Sequence, residues 1–225
     1  MRIALITGQY PGAGAAFAGG VATWAARLAG LLHDAGHDIE VFVPSFEPGV
    51  REHDGVRVDH VPMDRARLEL LCRIGRWRLS STMQALYGAW VIRAHVLARH
   101  AQKPFDLVQA TSSSVPGLFL SLTRQLPICV FCSDSENAWL AGHGRELLSF
   151  DDRLLMWLSR HTCAIAHGAH APSRFRALAN HAQNDKIRVI RPPFVTSGTT
   201  ALDSQLVDRL PFPYLLYFGV FNAIK

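Results

Sequence analysis

The chain of 225 residues has few cysteines and no long apolar run. No stretch approaches the roughly 18 consecutive apolar residues that a membrane-spanning helix needs. The apolar run 3–6 is too short to be the core of a signal peptide. Four cysteines in a chain of this length do not make a disulfide framework. These absences predict a cytoplasmic protein.

Several motifs of common α/β enzymes are also missing. The chain has no G-x-x-x-x-G-K-[ST], which argues against a P-loop, and no G-x-S-x-G, which argues against an α/β-hydrolase. No predicted helix carries an H-x-x-x-H pair, so no metal is expected. Cys129 and Cys132 have C-x-x-C spacing, but they lie in a predicted strand, where residues three apart point to opposite faces. Buried packing is therefore favoured over metal or redox use.

What is present is clearest in the first 44 residues. An apolar run predicts a buried strand at 2–7, and apolar residues at i, i+3, i+4 and i+7 predict a helix at 21–33. Gly36 follows where a left-handed cap would end the helix, and a second strand is predicted at 39–44. The loop between the first strand and the helix, from Gln9 to Gly20, is rich in glycine. Such a loop lets backbone N–H groups approach an anion, typically a diphosphate; the alternative is that the glycines only allow a long turn.

Strands and helices continue to alternate along the chain. Strands are predicted at 56–61, 105–110, 128–132, 168–172 and 187–190, and helices at 64–101, 115–124, 150–166 and after Ser173. Gly75 and Gly88 are predicted breaks in the first of these helices, and Ser149 with Asp152 resembles a capping box. The apolar side of helix 150–166 is expected to hold Phe150, Leu154, Leu155, Trp157 and Leu158. The alternation predicts an α/β fold, a Rossmann-like doubly wound parallel sheet.

The composition changes after residue 192. Residues 1–192 are expected to form the Rossmann-like N-terminal domain, and the proline-containing stretch 193–213 is expected to be a linker. Residues 214–225 are expected to begin the first strand of a C-terminal domain, the rest of which has been cut away.

A nicotinamide cofactor is the first ligand to consider for such a sheet. Its fingerprint needs G-x-G-x-x-G and an acid at the end of the second strand. Gly12 and Gly14 are followed by Phe17 in place of the third glycine, and the second predicted strand ends in Val43-Pro44. An NAD(P)-dependent epimerase or dehydrogenase is therefore a disfavoured alternative. Ligands of open α/β sheets bind at the carboxyl ends of strands, which directs attention to loops 9–20, 111–114, 133–137 and 173–174.

Several short segments together resemble a known family. In chain order they are Tyr10-Pro11, Gly19-Gly20-Val21-Ala22, and residues 35–41, 105–110, 171–173, 186–193 and 217–225. In this order and spacing they resemble the N-terminal half of a retaining GT-B glycosyltransferase of the glycogen-synthase-like group, also called glycosyl transferases group 1. The resemblance implies two Rossmann-like domains with a nucleotide-diphosphate-sugar in the cleft between them. It implies no metal and no cofactor other than this donor substrate.

The resemblance also implies roles for individual residues. Gly19 and Gly20 would approach the donor diphosphate, and Lys225 would neutralise the leaving group. The acceptor, a glycan or a lipid-linked glycan, would meet the cleft residues Tyr10, Ser112, Ser133, Asp134, Glu136, Ser173 and Arg174. Asp134 and Glu136 could instead cap a helix. The family's main catalytic acids would lie in the absent domain. Val220 replaces the family's arginine and Ser133 its histidine, which favours a second alternative, a non-catalytic Rossmann-like binding module.

The positive charge is concentrated in one stretch. Residues 65–103 contain eight Lys or Arg and one acid, Glu69, with apolar residues between them. Such a stretch suits an anionic membrane surface or an anionic polymer. Of these, the membrane surface is the predicted partner, and nucleic acid is not expected. Arg73, Arg76, Trp77 and Arg78 are the predicted membrane patch, which would make the protein peripheral at the inner face of the membrane. The alternative is an ordinary helix pair with its charged face in water.

Overall fold

The computed structural model describes residues 1–11, 20–75, 78–132, 149–172 and 187–190. Eight strands form one sheet: β1 Arg2–Ile6, β2 Asp38–Ser45, β3 Gly49–His53, β4 Val56–Pro62, β5 Leu107–Thr111, β6 Ile128–Phe131, β7 Gly168–Ala171 and β8 Ile187–Val189. The described helices are α1 Gly20–Asp34, α2 Arg65–Ile74, α3 Ser80–Gln102, α4 Leu118–Thr123 and α5 Phe150–Ile165.

The strand order is β3-β4-β2-β1-β5-β6-β7-β8. Every neighbouring pair is parallel except β3–β4, which is an antiparallel hairpin at the edge. Chain order reverses between β1 and β5, as in a doubly wound sheet. The predicted α/β Rossmann-like fold is confirmed, and β3 is an added edge strand that the sequence analysis missed. Its side chains are mostly exposed, so it has no apolar run to reveal it.

Helices cover both faces of this sheet. One face packs against α2, α3, α4 and α5, around a core that includes Phe42, Ile92, Leu120 and Cys163. The other face packs against α1 through Trp24, Ala25 and Ala29. Because β1 and β2 are covered on both faces, each is apolar and buried almost throughout.

Local signals placed most helix ends correctly. Gly36 has φ +81°, and His37 N–H donates to Leu32 O (3.0 Å) while Gly36 N–H donates to His33 O (2.8 Å). These two bonds make a Schellman cap after α1. The capping box of Ser149 and Asp152 is present at the start of α5.

Two expectations for the helices are wrong. Gly75 ends α2 as predicted, but Gly88 lies inside α3. A Cβ at Gly88 would lie at an ordinary van der Waals distance of 3.6 Å from Pro44, so this glycine lies where α3 packs on β2 and does not interrupt the helix. Phe150 and Trp157 are not on the buried side of α5; they are 71% and 57% exposed. Leu155 and Leu158 face inward as expected, together with Cys163.

The amino-terminal end of the sheet is closed by an ion network. The buried Arg2 guanidinium donates to Glu40 (2.5 Å) and to Lys103 O, and lies 4.0 Å from the centre of the Phe105 ring. Glu40 also accepts two bonds from Arg99, at 2.9 and 3.1 Å. Burial raises the pKa of Glu40, but the bonds from Arg99 and Arg2 outweigh it and hold that pKa below its ordinary value. The network ties β1, β2 and the end of α3 together.

Candidate functional site

The candidate site is the crevice at the carboxyl ends of β1 and β5. The helices that follow these strands, α1 and α4, pack on opposite faces of the sheet. The loops after β1 and β5 therefore separate to either side and leave a crevice, the place where open α/β sheets bind ligands. The two loops are adjacent there, as the distance from Gly8 to Ser114 shows. A Cβ built on Gly8 would lie 3.5 Å from both Cβ and Oγ of Ser114.

The loop after β1 is organised by Thr7. Its N–H donates to Phe42 O (3.2 Å), and its hydroxyl donates to Gln9 O (3.0 Å) while accepting from Gln9 N–H (3.4 Å). This compact turn leaves the Gln9 side chain exposed at the crevice.

The loop after β5 is anchored on three sides. Ser112 N–H donates to Phe131 O (2.9 Å), and Ser112 O accepts from Val115 N–H (3.2 Å) and Ser159 Oγ (3.2 Å). Ser112, a predicted cleft residue, is buried and thus sits beneath the loop rather than on its surface. Ser114 and Val115, two and three residues after Ser112, have backbone φ angles of +59° and +44°. Left-handed backbone costs a residue with a Cβ about 1–2 kcal/mol, so this loop holds exposed Ser114 in a strained position beside Gly8.

Tyr10, another predicted cleft residue, is almost fully buried. Its ring packs edge-on against His53 of β3 at 5.6 Å, and burial, together with the nearby Asp54 carboxylate, raises the pKa of its hydroxyl to about 12. The structure therefore gives Tyr10 a packing role between the crevice and the edge hairpin. Contact of Tyr10 with an acceptor remains a prediction.

Gly20 is the first residue of α1 and is exposed. A Cβ placed there would meet no atom within 4 Å among the described residues, so neither strain nor crowding within this part of the chain requires a glycine. Its backbone N–H lies in the first turn of α1, which contains no acidic side chain. Such a helix end is suited to an anion.

The other predicted site residues lie outside the described residues. They are Gly19, Ser133, Asp134, Glu136, Ser173, Arg174 and Lys225. The predicted linker 193–213 and the strand beginning at 214 lie outside them as well.

Two further polar groups lie close to this edge of the sheet: Thr111, in a loop that the sequence analysis indicated, and His170, which it missed. Thr111 ends β5, and its buried Oγ1 has no hydrogen-bond partner among the described residues. His170 of β7 packs against Phe131 at 5.0 Å, and burial lowers the pKa of its imidazole to about 4, so the ring is neutral at pH 7. No sequence signal marked His170, because it stands alone between alanines in a short strand.

The cysteines pack as predicted rather than form a joint site. Cys132 is buried beside Cys163, with 3.5 Å between the sulfur atoms, while Cys129 is half-buried on the opposite face of β6. Burial raises the pKa of the Cys129 thiol. In the described part of the chain, no group of three or more His, Cys, Asp or Glu could hold a metal ion. No described helix is both long and apolar enough to cross a membrane.

A family model matches most of the chain. The sequence model of the family described as "Glycosyl transferase 4-like domain" matches residues 19–193. No curated protein matches the chain by sequence.

Solved structures share the fold at low sequence identity. Sucrose-phosphate synthase from Thermosynechococcus elongatus superposes with a TM-score of 0.57 at 17% identity, covering 84% of this chain and 47% of that one. Apo UGT2 from Phytolacca americana superposes with a TM-score of 0.58 at 12% identity, covering 93% of this chain and 55% of that one. The chain thus spans about half the length of these proteins.

Proposed function

This chain belongs to the glycosyl transferase 4-like family, and we propose that it is the acceptor-side half of a retaining GT-B glycosyltransferase. The full protein would transfer a sugar from a nucleotide-diphosphate-sugar to a glycan or a lipid-linked acceptor. The observation that carries the proposal is the family match over residues 19–193, which includes α1 and the strained loop after β5. The crevice between β1 and β5 is where such a sheet would hold its substrate.

In this proposal the first turn of α1 approaches the donor diphosphate. Gly19 and Gly20 let the backbone come close to the phosphates, and Lys225 adds a positive charge as the glycosidic bond breaks. The acceptor lies along the loops after β1 and β5, with Ser133, Asp134, Glu136, Ser173 and Arg174 as further contacts. The remaining donor contacts and the main catalytic acids belong to a second domain. Residues 1–225 alone would therefore bind donor weakly and transfer no sugar.

The test is a transfer assay with a panel of labelled nucleotide-sugars, run on the full-length protein and on residues 1–225. Full-length protein should transfer a sugar from at least one donor, and the shorter chain should not. Transfer by residues 1–225 alone would overturn the two-domain assignment. Titration with NAD provides the comparison with the disfavoured dehydrogenase reading.

Gly20 allows a sharp test of the diphosphate role. Gly20→Val in the full-length protein should reduce transfer about a hundredfold, because a misplaced substrate loses that much rate. Gly30 is the matched control, since it lies in the same helix and a Cβ there also meets no described atom within 4 Å. Gly30→Val should leave transfer unchanged. Equal activity of the two variants would refute the role of Gly20 and leave the fold assignment intact.

A second candidate function is a binding module without catalysis. It is favoured by Val220 and Ser133, which stand where the family has arginine and histidine. A full-length protein that binds a nucleotide-sugar in calorimetry but transfers no sugar with any acceptor would support this alternative.

We also propose that an anionic membrane surface presents the acceptor. On α2, Leu70 and Ile74 are 59% and 69% exposed, and Arg73 is exposed beside them. Arg78 is exposed just after the helix, while Arg76 and Trp77 lie outside the described residues. Basic residues beside exposed apolar side chains suit the surface of an anionic bilayer. Arg73→Gln with Arg78→Gln should weaken co-sedimentation with anionic vesicles, and unchanged sedimentation would leave a solvated helix face.

A further inference from the structure

The outer face of α5 carries a stripe that the proposed transfer site does not use. Phe150 and Trp157, both mostly exposed, share this face with the exposed Arg153, Arg160 and His161. Their spacing of three and four residues places them along one side of the helix. The Trp157 ring stacks on His161, with 5.2 Å between ring centres and 6° between planes. Two large aromatic side chains and two arginines thus form one outward stripe.

Helix α5 cannot rotate to bury this stripe, because its inner face is already packed against the protein. Leu155 and Leu158 pack in a small cluster with Val115 and Leu118, and Cys163 lies in the main core. The helix is also held at its start, where the buried Asp151 carboxylate accepts from Ser81 and Thr82 N–H of α3. The aromatic stripe is therefore a fixed, unpartnered face within the described part of the chain.

The neighbouring helices continue the same kind of surface. Helices α2, α3 and α5 cover one face of the sheet, and α3 contacts both of the others. Trp90 of α3 is 48% exposed and stacks on Tyr87, with 6.3 Å between ring centres. Leu70 and Ile74 of α2 are exposed on this layer too. By contrast, α1 on the opposite face exposes one large apolar side chain, Leu31.

The charge of this helix layer is mainly positive. Its exposed basic residues are Arg65, Arg67, Arg73, Arg78, Arg153 and Arg160. The acids beside them are mostly engaged: Asp151 caps α3, Asp152 belongs to the capping box of α5, and Asp64 caps α2. Glu69 is the exposed acid within α2. A surface of aromatic rings and arginines, with few free acids, is complementary to the interface of an anionic bilayer.

We propose that the outer layer of α2, α3 and α5 is one membrane-binding surface, in which α5 contributes Phe150, Arg153, Trp157 and Arg160. The inference rests on the membrane contact proposed above for α2 and extends it across the layer. Trp and Phe settle at the level of the lipid headgroups while the arginines meet anionic phosphates. Contact through two outer helices would fix the orientation of the domain on the membrane, which contact through α2 alone would not.

The experiment is co-sedimentation of residues 1–225 with vesicles of phosphatidylglycerol in phosphatidylcholine, compared with phosphatidylcholine alone. Wild-type protein should bind the anionic vesicles selectively. Arg153→Gln with Arg160→Gln should weaken binding roughly thirtyfold, from about 1 kcal/mol per arginine at tenfold per 1.4 kcal/mol. Trp157→Ser should also weaken binding. Brominated lipid should quench wild-type fluorescence more than that of Trp157→Phe.

The matched control is Arg27→Gln with Leu31→Ser on α1, an exposed basic and apolar pair four residues apart on the opposite face of the sheet. It should bind as wild type does, and circular dichroism should show every variant folded.

If the α2 variant loses binding while both α5 variants retain it, the extension to α5 is wrong and the α2 contact stands. If wild-type protein does not bind anionic vesicles, both membrane proposals are refuted. The proposed sugar transfer is tested separately by the transfer assay. If Trp157→Ser instead converts a lipid-free dimer to a monomer in sedimentation velocity, the stripe binds a second copy and the lipid proposal is overturned.

Discussion

The two ends of the sheet differ in how their charged and polar groups are paired. At the amino end, Arg2, Glu40 and Arg99 are joined by short hydrogen bonds, and Lys103 and Asp38 pair beside them at 2.5 Å. At the carboxyl end, the described loops hold Ser114 and Val115 in left-handed backbone, and Thr111 Oγ1 is buried without a described partner. The amino end pairs its charges with one another, with Arg2 Nε 3.4 Å from Asp38 but without a hydrogen bond among the described residues. The carboxyl end keeps backbone strain, and a Thr111 Oγ1 that has no described partner, beside the crevice.

This difference separates stability from function within one sheet. Substitutions at the amino end should lower the free energy of unfolding and leave the crevice chemistry alone. Substitutions in the crevice loops should change activity with small, or even favourable, effects on stability, as is common where functional sites store strain.

The largest expected effect is at the amino end. Glu40→Ala leaves the buried Arg2 guanidinium without its main partner, and breaking a buried ion pair from one side costs about 3–5 kcal/mol. Denaturant unfolding should show this loss, whereas Glu52→Ala on the exposed strand β3 should change the free energy of unfolding little. A loss below about 1 kcal/mol would mean that Asp38 replaces Glu40 as the partner of Arg2.

Next in size is the contact between α5 and the start of α3. Asp151→Ala leaves the buried Thr82 N–H and the partly buried Ser81 N–H without their acceptor, and should cost about 2 kcal/mol in denaturant unfolding. Asp152→Ala, which removes the capping box at the start of α5, should cost about 1 kcal/mol. Equal losses would show that the contact between the two helices adds nothing beyond an ordinary cap.

The Asp151 contact also predicts a pH dependence. Burial raises the pKa of Asp151, but hydrogen bonds from Thr82 and Ser81 outweigh it, and the pKa lies below its ordinary value. A carboxylate with a lowered folded-state pKa stabilises the protein above its unfolded pKa, near 4, and loses that contribution as the pH falls. The stability difference between wild type and Asp151→Asn should therefore be constant near neutral pH and shrink in acid. A difference that grows in acid would contradict the assignment.

A smaller loss is expected where the loop after β5 approaches the sheet. A Cβ at Gly117 would lie 2.9 Å from Ala110 Cβ, and neither group can move without shifting backbone. Gly117→Ala should cost about 1–2 kcal/mol through overpacking. Gly30→Ala in α1, where the Cβ meets no described atom, should instead stabilise by up to about 1 kcal/mol. Thermal unfolding of the pair tests the close approach directly.

The smallest effect should have the opposite sign. Ser114→Gly relieves left-handed strain of about 1–2 kcal/mol and adds unfolded-state entropy of about 0.5–1 kcal/mol, so a net gain of roughly 0.5 kcal/mol is expected. In the full-length protein the same change should slow transfer by up to about tenfold if the hydroxyl bonds the acceptor. Arg124→Gly, at φ +51° at the end of α4, is the control that relieves similar strain away from the crevice. Unchanged transfer by Ser114→Gly would remove Ser114 from the site.

Much of the fold could be predicted because its signals are local. The apolar runs of β1 and β2 marked buried strands, Gly36 marked a Schellman cap, and Ser149 with Asp152 marked the start of α5. The site was less accessible to prediction. Ser112 was chosen for its place in the loop, but the hydrogen bonds to Phe131 and Ser159 that bury it come from distant parts of the chain. Ser114, which those bonds hold in the crevice, lies in a loop that the sequence indicated but was not chosen as a site residue.

What the sequence alone determined is therefore the set of elements, most of their ends, and the edge of the sheet where a ligand would bind. Tertiary structure decided the rest. Asp151 caps a helix that begins 71 residues earlier in the numbering, at Ser80. Gly88 lies within α3 where that helix packs on Pro44, and the exposed β3 is held in the sheet by its pairing with β4. Phe150 and Trp157 point outward because Leu155 and Leu158 occupy the inner side of α5. Caps and apolar runs act over three or four residues and can be found along the chain, whereas burial and long-range hydrogen bonds depend on which surfaces meet after folding.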